Sequence, residues 1–229
     1  MTTIANALQA VRQRIAQAAI AAGRPAVGIQ LLAVSKNFPA AAVRQAYTAG
    51  QRAFGESYVQ EATGKVATLN DLPLKWHFIG PIQSNKTRPI AESFAWVHSL
   101  DRDRIADRLS AGRPANLPDL QVCLQVNVSN EASKSGVAPE DLPALARYVR
   151  ALPRLKLRGL MTIPEPTDDP VKQREAFVRL RQLLEQLNAE GFQLDTLSMG
   201  MSDDLEAAIA EGATIVRVGS AIFGERKKL

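Results

Sequence analysis

Apolar residues along this chain alternate between two patterns, short unbroken runs and longer stretches with helical spacing. The first run, Leu31-Leu32-Ala33-Val34, ends in Ser35-Lys36 and then Asn37-Phe38-Pro39. Its lack of alternation means that both faces should be covered, as in a strand of a parallel sheet. Upstream, residues 2–23 place Ile4, Leu8, Val11 and Ile15 on one helical face, and Gly23-Arg24-Pro25 stops that helix.

From residue 31 onward one unit repeats. A strand ends in polar or glycine residues, and a helical stretch returns. The strands are expected at 31–34, 52–56, 75–79, 95–98, 120–128, 157–163, 196–199 and 214–218. The helices are expected at 40–49, 58–69, 85–90, 101–111, 139–151, 171–189 and 203–211, with a further turn around 219–224. The helix at 171–189 has the strongest stripe, with Phe177, Leu180, Leu184 and Leu187 on one face. Eight strands, each followed by helical material, predict an α/β fold, a single (β/α)8 TIM barrel with an extra N-terminal helix. No linker rich in Pro, Gly or Ser cuts the chain, so residues 1–229 are expected to form one domain.

Composition narrows the function classes. The net charge is +5, from 28 Lys and Arg against 23 Asp and Glu, and the basic residues are scattered rather than run together. That speaks against a nucleic-acid face and leaves an anionic small ligand open. The single Cys123 sits in the apolar run 122–128 and reads as a buried, inert thiol, compatible with a reducing compartment. One cysteine and two histidines make no zinc-like ligand set. No apolar run reaches membrane-spanning length, so a cytoplasmic protein without membrane contact is expected. No acidic residue precedes Glu56, while Arg12, Arg14 and Arg24 are present, a composition resembling a mitochondrial presequence. An Ala-rich helix covering the outside or floor of the barrel is the preferred reading.

The chemistry collects at strand ends, which in a parallel barrel form the active face. Lys36 ends the first strand, where partial desolvation would free its amine to attack a carbonyl; a lysine snorkelling from a strand end is the plainer alternative. After strand seven comes Ser198-Met199-Gly200-Met201-Ser202, with a helix starting at Asp203. After strand eight come Gly219-Ser220, with a helix starting at Ala221. Glycines, serine hydroxyls and helix N–H groups in these two loops suit a phosphate. Ser202 as a plain N-cap and Gly219 as a plain turn are the alternatives. Asp203 and Asp204 fit a phosphate only with their side chains turned away from it. Arg217, inside strand eight, must be paired, bound to a ligand or pointing out among the helices. Lysine, phosphate cradle and arginine around one mouth suggest a phosphorylated aldehyde held as a Schiff base, in a sugar-phosphate aldolase or by a lysine carrying pyridoxal 5′-phosphate.

Six blocks then carry a resemblance. They are Ala33-Val34-Ser35-Lys36, Phe54-Gly55-Glu56-Ser57-Tyr58-Val59-Gln60-Glu61, Trp76 to Lys86, Gly159-Leu160-Met161-Thr162-Ile163-Pro164, Ser198 to Asp204 and Val216 to Gly224. In this order the chain resembles the pyridoxal phosphate homeostasis proteins, single-domain relatives of the alanine racemase barrel. The resemblance implies that Lys36 holds pyridoxal 5′-phosphate as a Schiff base, that Ser202 and the backbone at Gly219 and Ser220 hold its phosphate, and that Arg217 faces its pyridine nitrogen. Ser57 is a departure, since the family usually has Asn there. No role is assigned to His77, Asn85 or Met161, and His98, Ser99 and Lys134 are read as ordinary strand-end residues.

The implied function is a carrier in vitamin B6 homeostasis, a monomer that buffers the cofactor or delivers it to apo-enzymes, without robust catalysis and with no catalytic residue of its own. A racemase-like enzyme on the same barrel is the alternative. Alanine racemases add a β-domain that supplies a tyrosine base, whereas only Glu225 to Leu229 follow the last loop here, and of Tyr47, Tyr58 and Tyr148 only Tyr58 lies near the mouth. Arg217 would also keep the ring nitrogen unprotonated and weaken the electron sink, an arrangement that racemases of this barrel tolerate, so it counts only together with the missing second base.

Overall fold

The structure is a computed structural model that describes residues 3–129, 135–165, 167 and 169–224. Eight strands, β1 (Gln30–Val34), β2 (Ala53–Glu56), β3 (Lys75–Phe78), β4 (Trp96–Leu100), β5 (Leu120–Gln125), β6 (Leu155–Met161), β7 (Thr196–Ser198) and β8 (Ile215–Val218), pair in parallel in sequence order. Strand β8 closes on β1 with Leu32 opposite Arg217 and Ala33 opposite Val218, giving the expected TIM barrel. Around it lie α1 (Ile4–Ala21), α2 (Ala40–Thr48), α3 (Val59–Thr68), α4 (Thr87–Ser93), α5 (Asp103–Gly112), α6 (Leu142–Ala151), α7 (Pro170–Ala189), α8 (Leu205–Ala210) and the single turn α9 (Ser220–Phe223).

Some boundaries move for local reasons. Strand β5 stops at Gln125, and the next residue, Val126, bridges Val137 while its N–H still donates to the Met161 carbonyl at 2.8 Å. Helix α6 starts at Leu142, where Pro143 supplies a fixed φ in the first turn. The extra helix α1 is capped by the Thr3 hydroxyl, which accepts from Asn6 N–H, and it buries Leu8, Val11, Ile15, Ala18 and Ala19. Arginines in and just after this helix reach towards α8 and the turn that follows it. Arg24 donates to the carbonyls of Ile209 (2.6 Å) and Ala213 (2.9 Å), and Arg14 pairs with Glu206 at 2.9 Å. The helix therefore lies along the barrel's outside.

Alternate strand residues face two different cores. Leu31, Ala33, Phe54, Val216 and Val218 join the large apolar shell between sheet and helices. Leu32, Ala53 and Ile215, with Ile79 against them, form a small separate cluster inside the barrel. Beside that cluster the interior carries a chain of polar side chains. His77 stacks on Trp96 with ring centroids 5.4 Å apart, and its Nδ1 lies 2.9 Å from Nε2 of His98, whose Nδ1 lies 2.7 Å from the Ser198 hydroxyl. Cys123 is fully buried, as expected, and burial pushes its thiol up to about 12. No helix among the described residues is long and apolar enough to cross a membrane, and no group of three or more His, Cys, Asp and Glu among them could hold a metal.

The buried histidines tie stability to pH. Burial first, with Lys75 adding to it, holds the His77 imidazole down to about 3. Burial, then His77 and Arg217, holds His98 well below the ordinary histidine range. An unfolded histidine titrates near ~6.5, so below that pH the unfolded chain binds protons that the folded chain refuses. These two groups therefore lower stability as pH falls from ~6.5, by up to about 1.4 kcal/mol per pH unit each. Denaturant unfolding near pH 7 and near pH 5 checks this: His98→Gln should lose less stability between the two than the parent chain. Equal losses would mean that the imidazole titrates normally inside the barrel.

Candidate functional site

The carboxyl ends of the strands gather most of the chemistry that the sequence singles out. Lys36 stands in the turn directly after β1 and is half-buried. That turn is tight: Phe38 N–H donates to the Ser35 carbonyl at 3.1 Å, and Asn37 takes the left-handed φ of 67°. Beneath it, the Ser35 hydroxyl donates to Glu56 at 2.6 Å, and the Asn37 N–H donates to Glu61 at 2.7 Å.

The loops after β7 and β8 meet. The hydroxyl of Ser220 lies 3.2 Å from that of Ser202, so the two serines and the first turn of α9 share one corner of the mouth. The Ser220 and Ala221 N–H groups, in that first turn, have no acceptor within the helix. Two glycines shape the corner. Gly200 has φ +91°, and a Cβ there would come within 2.6 Å of the Ala208 side chain. A Cβ on Gly219 would crowd the Val34 carbonyl oxygen at 3.1 Å, which shows how closely this loop passes the end of β1. Gly219 and Lys36 are thus brought to adjacent strand ends by the β8–β1 pairing.

One expectation for this loop needs correcting. The helix expected from Asp203 starts at Leu205, with Asp204 at its N-cap, so Ser202 does not cap it. Asp204 instead turns back and accepts from Met201 N–H at 2.5 Å, which holds its carboxylate on the loop's own backbone. Asp203 is exposed. The Ser202 carbonyl accepts from Arg14 at 2.9 Å, so α1 steadies the loop from outside.

Arg217 faces into the barrel and is buried at 4% exposure. Its guanidinium donates to the Ser198 carbonyl (2.5 Å) and hydroxyl (2.8 Å), and to the Thr162 carbonyl at 2.8 Å. Thr162 and Ser198 stand at the carboxyl ends of β6 and β7, so the cation reaches the mouth rather than the floor. All three acceptors are neutral oxygens. Burial lowers its pKa to about 10, which leaves it cationic at neutral pH. Because arginine only donates, the Ser198 proton is assigned to His98 Nδ1, and His98 then donates to His77. His77 Nε2 is left as a buried atom without a partner.

The remaining strand-end residues divide. His77 and Met161 are fully buried, and Asn85 is exposed in a short 3-10 turn at Ser84–Lys86. His98 is not a plain strand-end residue, because it supports the serine that holds Arg217. Ser99 donates to the Gly80 carbonyl at 2.5 Å, a packing role. Ser57 lines a cavity of about 260 Å³ at the mouth with Tyr58, Val59, Gln60, Pro81, Gln83 and Lys86. Lys134 and Glu225 to Leu229 lie outside the described residues. Sequence reasoning missed Ser198, Thr162 and Lys65 as supports. Ser198 lay within a singled-out block, but nothing in its spacing marks it as the partner of Arg217.

A primary amine, a hydroxyl and N–H corner, and a buried cationic donor can together bind a phosphorylated carbonyl compound. The comparisons with known proteins show which family this barrel belongs to. The family model described as alanine racemase, N-terminal domain, matches residues 7–227. The chain is 68% identical over 226 residues to the pyridoxal phosphate homeostasis protein of Pseudomonas aeruginosa, covering 99% of this chain and 97% of that one. PipY of Synechococcus elongatus, solved with PLP bound, superposes with a TM-score of 0.85 at 40% identity, covering 97% of this chain and 100% of that one. Alanine racemase from Corynebacterium glutamicum shares the fold at a TM-score of 0.71 and 16% identity, over 95% of this chain and 62% of that one. The family model and the high identity to the Pseudomonas aeruginosa relative over nearly the whole chain show that the chain belongs to the pyridoxal phosphate homeostasis protein family, built on the alanine racemase N-terminal barrel.

Proposed function

We propose that this protein binds pyridoxal 5′-phosphate at the barrel mouth, with Lys36 forming the Schiff base, and that it acts as a single-domain, monomeric cytoplasmic carrier in vitamin B6 homeostasis. The observation that carries the reading is the convergence of Lys36, the Ser202–Ser220 pair and Arg217 on the same face of the barrel. The relatives named as homeostasis proteins and the PLP-bound PipY support it. When bound, the cofactor supplies an aldehyde and an electron-accepting ring.

The residues present fit that group. The 3.2 Å separation of the Ser202 and Ser220 hydroxyls and the N–H groups of the α9 turn suit an oxyanion. Gly219 keeps the wall beside β1 clear of a side chain. Three of the five guanidinium N–H groups of Arg217 are committed to Ser198 and Thr162, and the other two remain for a ring nitrogen. Arginine there donates and does not release its proton, so a ring nitrogen facing it stays an acceptor and the ring withdraws electrons less strongly.

That supports a carrier over an enzyme. Two-sided proton transfer needs a second positioned base. Tyr47 lies under the Arg52 guanidinium, 4.0 Å from ring centroid to cation, and Tyr148 donates to Asp107 at 2.7 Å, both away from the mouth. The histidines are buried inside the barrel. Tyr58, half-exposed at the mouth, is the tyrosine on which residual racemase-like activity would depend.

Three measurements test the reading. Protein loaded with pyridoxal phosphate should show an imine absorption that borohydride removes, with the reduced adduct mapping to Lys36 and absent from Lys36→Ala; an adduct on another lysine would overturn the site. Pyridoxal lacking its phosphate should bind much more weakly. Ser202→Ala should weaken binding of the phosphorylated form roughly ten- to a hundredfold, the effect of a lost donor to a charged group at ~1.5–3 kcal/mol. Equal affinity for the two aldehydes would remove the phosphate corner from the reading. Finally, α-proton exchange of common amino acids in heavy water should be negligible, while an apo-enzyme mixed with the loaded protein gains activity and Lys36→Ala gives neither. Turnover in the ordinary enzyme range of ~1–1000 per second would establish an enzyme instead.

A further inference from the structure

Behind the wall that carries Lys36 lies a buried ion cluster that neither the phosphate corner nor Arg217 uses. Lys65, on α3, has a side chain only 6% exposed, and Glu56, at the end of β2, is fully buried. The Lys65 ammonium donates to Glu56 Oε1 at 2.8 Å, to Glu61 Oε1 at 2.5 Å and to the Ser35 carbonyl at 2.7 Å. An ammonium carries three N–H groups, and each has an acceptor here. The two carboxylates continue the network into the chain on either side of Lys36. Glu56 accepts from the Ser35 hydroxyl at 2.6 Å, and Glu61 accepts from the Asn37 N–H at 2.7 Å.

We propose that Lys65 is a positioning residue for Lys36, its ammonium fixing residues 35 and 37 through one shared set of hydrogen bonds and so setting the direction in which the Lys36 amine is presented. This rests on the reading that Lys36 forms the Schiff base. A buried ion pair by itself is weak evidence even for stability, because desolvation offsets the attraction. What distinguishes this one is where its bonds lead. Residue 35 is held at both carbonyl and hydroxyl. Residue 37, in a left-handed conformation that turns the chain sharply, is held at its N–H. Lys36 sits between two fixed points, and its side chain swings from a backbone that cannot tilt.

Lys65 also keeps the clamp in one piece. Glu56 and Glu61 both approach the same ammonium, and without it the buried Glu56 would lose its countercharge beside a second carboxylate. With nothing left to draw the two together, the bonds to Ser35 and Asn37 would loosen. Neither carboxylate touches the mouth, so the expected effect falls on the amine's reaction and spares the phosphate and ring contacts.

The test separates these two parts. Imine formation with pyridoxal 5′-phosphate is followed by stopped-flow absorbance, and affinity is measured in parallel for 4′-deoxypyridoxine 5′-phosphate, which keeps the phosphate and ring but has no aldehyde. Lys65→Met should slow imine formation roughly ten- to a hundredfold, the range expected for a misplaced reacting group. Affinity for the deoxy analogue should stay within about twofold, since misplacement acts on the reacting amine alone. Should Lys65→Met fail to fold, Glu61→Ala, which removes a side chain 29% exposed and frees only the Asn37 arm, should show the same split to a smaller degree. Equal losses for both ligands would make the cluster a purely structural element, and an unchanged imine rate in a folded variant would overturn the proposal outright. A wild-type adduct mapping away from Lys36 would instead overturn the site reading itself, and the positioning role with it.

Discussion

Pairing of Gln30–Ala33 with Ile215–Val218 closes the barrel, and the candidate site exists because of it. Before closure, Lys36 and Gly219 are separated by most of the chain. After it, the loop following β8 passes so close to β1 that a Cβ on Gly219 would crowd the Val34 carbonyl. The same register sets Arg217 beside Leu32 inside the barrel, from where its long side chain climbs to Thr162 and Ser198 at the mouth. A slip of one residue would turn Arg217 outward into the apolar shell of Val216 and Val218.

Two buried cations sit near this seam and are accommodated in opposite ways. Lys65, outside the strands, has two carboxylates and a carbonyl, so charge meets charge. Arg217, inside, meets only neutral oxygens, and burial lowers its pKa. A cation solvated only by dipoles retains a field that an anionic or acceptor atom of a ligand can meet. Its neighbours His98 and His77, kept neutral by burial, add polarity without adding a second charge. Glu56 shows the matching effect on the other side: burial raises its pKa, against the pull of Lys65 and the Ser35 hydroxyl.

The N-terminal helix connects these parts mechanically. It buries an apolar face, while polar residues in it and just after it reach the site's surroundings. Arg14 holds the Ser202 carbonyl and Glu206, and Arg24 holds the carbonyls that end α8 and its following turn. Arg12 donates to the Ala49 carbonyl at 3.0 Å, behind α2. The arginines that give this segment its presequence-like composition are structural donors to carbonyls and carboxylates of the barrel.

The sequence by itself determined the barrel. Unbroken apolar runs alternating with helical stripes encode strands covered on both faces, and eight such units allow one closed architecture. It also singled out the candidate loops, since Lys36, the Ser202 loop and the Gly219-Ser220 turn are local motifs at strand ends. Side-chain direction and long-range partnership were decided by the tertiary structure. The alternation around Arg217 allowed an inward or an outward face, and only register against β1 and β7 chose inward and supplied Ser198 and Thr162 as acceptors. Asp204 looked like a threat to an anion site until the loop folded its carboxylate back onto Met201. Glu56, Glu61 and Lys65 read as ordinary charges at the end of a strand and along a helix. Their meaning depends on α3 packing across the end of β1, a contact between segments far apart in sequence that no local spacing encodes.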